Sequence, residues 1–176
     1  MVIDQVKIKV ATIQDAAILA QLGKKTFLQT YGSHNTKENM DLYVKRSFSK
    51  KILKDELADV TNFYLMADLD GKAVGYAKLT ENNKPFHDKK IKAVELERIY
   101  VLQEHQGQNI GSDLMQQCLN FAKIRHYKVI WLGVWEKNPK AAGFYQKWHF
   151  KTFGSHNFEL GKDMQTDVLM KRDLTD

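Results

Sequence analysis

The residues most suited to chemistry lie between Gln106 and Ser112, where the chain reads Gln-Gly-Gln-Asn-Ile-Gly-Ser. This stretch contains no acidic side chain that would repel an anion, and Gly107 and Gly111 allow a ligand to come close to the main chain. An apolar and polar alternation precedes it, and apolar residues at helical spacing follow it. A loop between a strand and a helix start presents unpaired N–H groups, which predicts a binding site for phosphate or diphosphate.

The spacing of this loop excludes two common phosphate-binding motifs. A Walker A loop requires Gly-Lys followed by Ser or Thr, whereas Gly111 is followed by Ser112 and Asp113. A dinucleotide-binding loop would follow the first strand, whereas this loop lies beyond the middle of the chain.

The elements around the loop are predicted from hydrophobic periodicity and from capping residues. We expect a first strand at 6–12, a helix from Ile13 to Phe27 or Leu28, and helices beginning at Thr36 and Ser49. Asp70-Gly71 predicts a hairpin between strands 62–69 and 72–80. Further along we expect a loop at 81–92, the central strand, a helix to about Tyr127, a buried strand at 129–135 and a helix from Asn138-Pro139. Two last strands are expected at 150–153 and 165–172, around a glycine-containing segment from Gly154 to Gly161.

Composition limits the classes of function. The 176 residues favour one domain spanning 1–176, and the pattern predicts an α/β (α+β) architecture with a mixed sheet of about seven strands.

The single cysteine, Cys118, excludes an internal disulfide, and charges interrupt every apolar run at the N-terminus. A cytoplasmic protein without signal peptide or membrane span is therefore expected. The net charge of +6 comes from dispersed lysines, which are more typical of a solvated surface than of a nucleic-acid interface. The histidines show no metal-ligand spacing, so no metal is assigned.

The loop from Gln106 to Gly111 resembles the Gln/Arg-x-x-Gly-x-Gly/Ala loop of the GCN5-related N-acetyltransferases, with Asn109 where glycine is usual. Asparagine is among the residues that best tolerate left-handed backbone angles. The resemblance extends to bacterial spermidine/spermine N-acetyltransferases of the PaiA kind over nearly the whole chain. The matching stretches are Thr26-Phe27, Thr30-Tyr31, 36–40, 95–101, 130–138, 144–147 and 165–167.

The resemblance implies a mostly antiparallel sheet with helices on both faces and a wedge between two strands that holds acetyl-CoA as the acetyl donor. It implies that Ile99, Tyr100 and Val101 offer backbone groups to the cofactor and that Asn138 contacts the pantetheine arm. The pyrophosphate would be held by the whole loop, which consists of Gln106, Gly107, Gln108, Asn109, Ile110, Gly111 and Ser112. Lys140 and Lys147 are candidate partners for the outer phosphates.

Acetyl transfer to an amine requires a neutral nucleophile, and deprotonating an alkylammonium at pH 7 costs roughly 4 to 5 kcal/mol. Glu95 and Glu97, expected on one face of the central strand, are the candidates to accept this proton, with Glu97 as the base. The resemblance implies that the leaving thiolate is protonated by a tyrosine, and Tyr145 matches its position.

A polyamine acceptor such as spermidine or spermine would have to be bound by local acidic groups. Glu38, Glu95 and Glu97 are the leading candidates, with Asp41 and Glu136 beside them. Two alternatives stay open: a protein N-terminus or lysine as the acceptor, and a non-catalytic acetyl-CoA-binding regulator. The sequence does not fix the number of subunits, and a homodimer is one of the open alternatives.

Overall fold

A computed structural model describes residues 6–174 of the chain. The helices are α1 (Ala16–Tyr31), α2 (Lys37–Ser47), α3 (Lys50–Ala58), α4 (Ile110–Ile124) and α5 (Pro139–Lys147). The strands are β1 (Lys7–Val10), β2 (Asn62–Leu69), β3 (Lys72–Glu81), β4 (Ala93–Val101), β5 (Val129–Trp135), β6 (Lys151–Leu160) and β7 (Asp163–Asp173). Short 3-10 turns at Ile13–Asp15, Gly32–His34 and Gln103–His105 connect some of them.

The seven strands form one sheet in the order β1-β2-β3-β4-β5-β7-β6, which confirms the predicted fold class. Every neighbouring pair is antiparallel except β4 and β5, which are parallel. Side chains of β3, β4, β5 and α4 meet in the main core, where Leu79, Val94, Leu114 and Ile130 are fully buried. The parallel pair therefore lies in the middle of a well-packed sheet.

Local capping signals set the helix starts as the sequence predicts. The hydroxyl of Thr36 accepts a hydrogen bond from the Asn39 amide, and the Ser49 hydroxyl accepts one from Ile52, each at 3.2 Å. The side chain of Asn138 accepts a 3.2 Å hydrogen bond from Ala141 and so begins α5, with Pro139 in the first turn. Asp70 and Gly71 both have positive φ angles, as a tight hairpin requires.

Two predicted boundaries were wrong. The first helix continues to Tyr31, past the predicted end at Phe27 or Leu28. The segment from Gly154 to Gly161 is not a connection, because β6 runs through it to Leu160. A register shift between Thr152 and Gly154 leaves Phe153 as the extra residue of a bulge, which an edge strand tolerates.

The alternation of β4 also differs from the prediction. Lys78 pairs with Arg98 but Leu79 pairs with Leu96, so Glu97 is an extra residue in a β-bulge. A bulge of one residue reverses the alternation beyond it. Leu96 therefore faces the core beside α4, whereas Arg98 faces the side of the sheet that carries Tyr64 and Glu56.

No helix within residues 6–174 is both long enough and apolar enough to cross a membrane.

Candidate active site

A cleft of about 580 Å³ opens where the two parallel strands separate. β4 and β5 pair at only three positions, the last of them Glu95 with Trp131. Beyond this point, residues of both strands line the cleft, among them Ile99, Val101, Gly133 and Trp135. The strands therefore form a wedge in the middle of the sheet.

The ladder between β3 and β4 determines which backbone groups face this wedge. The Leu102 amide donates to the Val74 carbonyl at 2.9 Å, and hydrogen-bonded pairs alternate in an antiparallel ladder. The pairs Val101 with Gly75 and Ile99 with Ala77 are consequently non-hydrogen-bonded, so Ile99 and Val101 direct their N–H and C=O groups toward the wedge. The same alternation turns the backbone of Tyr100 toward β3.

The loop before α4 closes one end of the cleft with unpaired amides. Gly107 has φ +79° and Asn109 has φ +64°, so the chain turns through two left-handed residues before Ile110 begins the helix. The first amides of a helix have no intrahelical acceptor, and here they belong to Ile110, Gly111 and Ser112, all of which line the cleft. These groups carry the partial positive charge of the helix N-terminus.

Gln106 holds this loop against its neighbours. Its Nε2 donates to the Val101 carbonyl at 3.2 Å, and its Oε1 accepts from Lys140 Nζ at 3.2 Å. A lysine ammonium is thereby fixed at the rim of the amide-lined loop. The arrangement fits the diphosphate of coenzyme A, because unpaired N–H groups, a helix N-terminus and a cation converge there.

Tyr145 contributes a phenol to the cleft from α5. Its ring contacts Phe144 in a T-shaped arrangement at 5.5 Å and Phe150 at 5.9 Å between ring centroids. Burial raises the pKa of Tyr145, with smaller contributions from Tyr31 and Cys118. The phenol consequently stays protonated at neutral pH and can donate a proton or a hydrogen bond.

Glu97 lines the cleft, but its carboxylate takes part in a closed network of four charges. Lys78 Nζ lies 3.1 Å from Glu56 and 2.9 Å from Glu97, and Arg98 lies 3.4 Å from Glu56 and 3.5 Å from Glu97. Burial by itself would raise the pKa of Glu97, but the charges of Arg98 and Lys78 outweigh it and hold the pKa below the usual value. A carboxylate in this state is a weak proton acceptor.

The structure does not bring every predicted site residue to the cleft. Glu38 and Asp41 lie on α2 in a separate shallow depression, and Glu38 pairs with Lys162 at 2.7 Å. Gln108 and Lys147 are exposed and do not line the cleft.

Two further predicted acids, Glu95 and Glu136, also lie outside the lining. Glu95 is partly buried beside it and accepts a 2.8 Å hydrogen bond from Asn82. Burial raises the pKa of Glu95, although the Asn82 hydrogen bond opposes the shift. Glu136 is exposed.

Several residues around the cleft have no predicted role. Trp135 contacts Tyr31 at 5.7 Å and His34 at 5.6 Å between ring centroids, and the three rings together form an aromatic wall of the cleft. Asp167 of β7 pairs across the sheet with Trp135, and its carboxylate lies 3.4 Å from His156 Nε2. The pairing of distant strands assembles these groups, and no local sequence signal indicates it.

Within the described part of the chain, no group of three or more His, Cys, Asp and Glu side chains is arranged so that it could hold a metal ion.

Comparisons with known proteins agree with this geometry. A model of the acetyltransferase (GNAT) family matches residues 25–150. An uncharacterized N-acetyltransferase from the pepI 3' region of Lactobacillus delbrueckii subsp. lactis is 31% identical over 169 residues, covering 96% of this chain and 98% of the relative. An uncharacterized N-acetyltransferase of Mycobacterium bovis is 31% identical over 160 residues, covering 91% and 98%.

Solved structures show the same fold. The PaiA N-acetyltransferase of Thermoplasma acidophilum, solved in complex with coenzyme A, has a TM-score of 0.78 at 20% identity, with 96% of this chain and 99% of that chain covered. A GCN5-related N-acetyltransferase structure from Rhodopseudomonas palustris has a TM-score of 0.76 at 17% identity, with 99% of each chain covered.

Proposed function

Because the chain belongs to the acetyltransferase (GNAT) family and is an N-acetyltransferase that uses acetyl-CoA, we propose that its acceptor is a primary amine of a small polyamine such as spermidine or spermine. The observation that carries this proposal is the chemistry of the cleft wall around Trp135. Aromatic rings of Tyr31, His34 and Trp135 line the cleft there, and Asp167, which pairs with Trp135 across the sheet, places its charge close enough to act on Tyr31. Aromatic faces and carboxylates are the groups that hold alkylammonium ions.

We propose that the cofactor lies along the wedge with its diphosphate at the loop before α4. The amides of Ile110, Gly111 and Ser112, with Lys140 at the rim, would hold its diphosphate. Asn138 would donate to the pantetheine arm, since its side-chain oxygen already accepts the α5 cap but its amide nitrogen remains available. The backbone groups of Ile99 and Val101 would form hydrogen bonds with the pantetheine amides and with the acyl carbonyl of the cofactor.

Bound acetyl-CoA supplies the acetyl group as a thioester. We propose that Tyr145 supplies the proton or hydrogen bond that the departing sulfur requires, because its phenol is protonated and fixed by the neighbouring rings. Much of the rate would come from holding amine and thioester in contact, which can supply several kcal/mol without a special base.

The test is release of free thiol from acetyl-CoA in the presence of a panel of acceptors. The panel contains spermidine, spermine, a monoamine of similar length and short peptides with a free N-terminus or lysine. Thiol release with the polyamines above an acceptor-free blank is expected. Release with peptides but with no polyamine would replace the proposed acceptor by a protein.

A further inference from the structure

Gly133 of β5 has no side chain, and this leaves two titratable groups of nearby strands uncovered. A carbon placed at its Cβ position would lie 3.0 Å from Asp167 Oδ2 and 3.3 Å from His156 Nε2. Any larger residue at position 133 would therefore cover the pair. Gly133 itself lines the cleft, so the glycine leaves the carboxylate and the imidazole uncovered directly beside a lining residue of β5.

Strand pairing brings the two groups together and gives them different access to solvent. Asp167 pairs with Trp135 on one side and with His156 on the other, so its side chain stands between the cleft and the edge strand β6. The Asp167 side chain is 14% exposed and that of His156 is 43% exposed. The imidazole therefore links a buried carboxylate with the outside.

Asp167 is also less neutralised than Glu97. Within residues 6–174 its ion-pair partner is His156 at 3.4 Å, whereas Glu97 is held by Lys78 and Arg98 together. Burial raises the pKa of Asp167, and the charge and hydrogen bond of His156 offset part of this shift. A buried carboxylate with a raised pKa takes a proton more readily than an ion-paired one does.

We infer that Asp167, with His156 behind it, accepts the proton of the reacting amine, a role that the sequence assigned to Glu97. The inference rests on the proposed function, since it requires an amine acceptor. The ammonium first gives one proton to Asp167 Oδ2, and His156 passes it to solvent. As the neutral amine nitrogen bonds to the acetyl carbon, the thioester C–S bond breaks and the sulfur takes the phenol proton of Tyr145. The second amine proton follows the same route through Asp167 and His156 to solvent, from which the Tyr145 phenolate regains its proton.

The first test compares Asp167→Asn and Asp167→Ala with Asp173→Asn, which makes the same chemical change at an exposed position of the same strand. For Asp167→Asn we expect kcat/KM for spermidine to fall roughly 100-fold or more, the range for loss of a general base. The Kd of each variant for coenzyme A, measured by calorimetry, should stay within threefold of the wild-type value, which would show that the variant is folded. Added formate should restore part of the activity of Asp167→Ala, because a small carboxylate can occupy the vacated space.

The second test uses His156→Gln, a change on the edge strand that leaves the sheet intact, with His87→Gln in an exposed loop as its control. We expect roughly a tenfold lower kcat/KM, and His156→Ala, which leaves space for an added ring, should recover part of its activity with imidazole. The inference is overturned if Asp167→Asn and His156→Gln both keep kcat/KM within threefold, or if neither formate nor imidazole restores any activity.

The panel separates this inference from the proposed acceptor. If another amine but no polyamine releases thiol, the acceptor assignment fails and the same variants are measured with that amine. If the wild-type protein binds coenzyme A but acetylates no amine in the panel, both proposals fail.

Discussion

Replacing Tyr145 by phenylalanine removes one oxygen from the cleft and leaves the ring that holds it. Phenylalanine keeps the contacts with Phe144 and Phe150, so we expect the melting temperature to change little. What disappears is the donor to the departing sulfur. A hydrogen bond to a charged group contributes about 1.5 to 3 kcal/mol, and a loss of that size in the transition state lowers kcat about 10- to 150-fold.

The assay is thiol release at saturating acetyl-CoA, so that kcat and KM separate. The loss should fall on kcat, because the phenol acts on the developing thiolate and not on the bound thioester. The defect should persist from pH 7 to 9, since burial raises the pKa of Tyr145 above its ordinary value and keeps the wild-type phenol protonated throughout.

A matched control is Tyr127→Phe, far from the cleft, where the phenol donates a hydrogen bond to Glu81. That variant should lose stability but keep its kcat, which is the opposite of the result expected for Tyr145→Phe. Full turnover by Tyr145→Phe, within twofold of the wild type, would refute the assignment of Tyr145 as the acid.

Three further predictions concern the loop, the charge network and the buried carboxylate. Asn109→Gly should keep the calorimetric Kd for coenzyme A within threefold. Asn109→Val forces a β-branched residue to φ +64°, so it should cost at least about 1 to 2 kcal/mol of stability and raise the Kd for coenzyme A. Lys78→Met leaves Glu56 and Glu97 with Arg98 as the remaining cation of the network, so urea denaturation should show a loss of about 3 kcal/mol in the free energy of unfolding. An unchanged midpoint would show that the network adds nothing to stability. Burial raises the pKa of Asp167, so its ionised form costs stability above that pKa and the cost vanishes as pH falls toward 4, near the unfolded-state value. Asp167→Asn should therefore melt higher than the wild type at pH 7 by a margin that shrinks toward pH 4, and a margin that grows would contradict this sign.

Structural features that depend on a few neighbouring residues could be predicted from the sequence. The caps at Thr36, Ser49 and Asn138 and the hairpin at Asp70-Gly71 involve residues within three or four positions of each other. Asn109 belongs to the same group, because few residues other than glycine accept its left-handed angles. Local geometry dictates these residue types, so the sequence carries the information directly.

Features that depend on strand pairing could not be predicted. The bulge at Glu97 reverses the face of Arg98, and only the register with β3 reveals it. Glu38 pairs with Lys162, more than 120 positions along the chain, and Asp167 lies next to Trp135 because β7 inserts between β5 and β6. A period-2 pattern shows that residues share a face but not which strands lie next to each other.

The balance of charges around the cleft is compatible with the proposed cationic acceptor, although the protein has a net charge of +6. Exposed lysines more than about 8 Å away are largely screened at physiological salt, so the nearest groups set the local potential. Lys78 and Arg98, the two buried cations beside the cleft, are cancelled one for one by Glu56 and Glu97. Glu95 accepts a hydrogen bond from the neutral amide of Asn82, and Asp167 lies 3.4 Å from the imidazole of His156, so neither carboxylate is held by two buried cations as Glu97 is. A surface rich in lysine can thus attract the phosphates of the cofactor at one end of the cleft, while the opposite end keeps the negative charge that an ammonium requires.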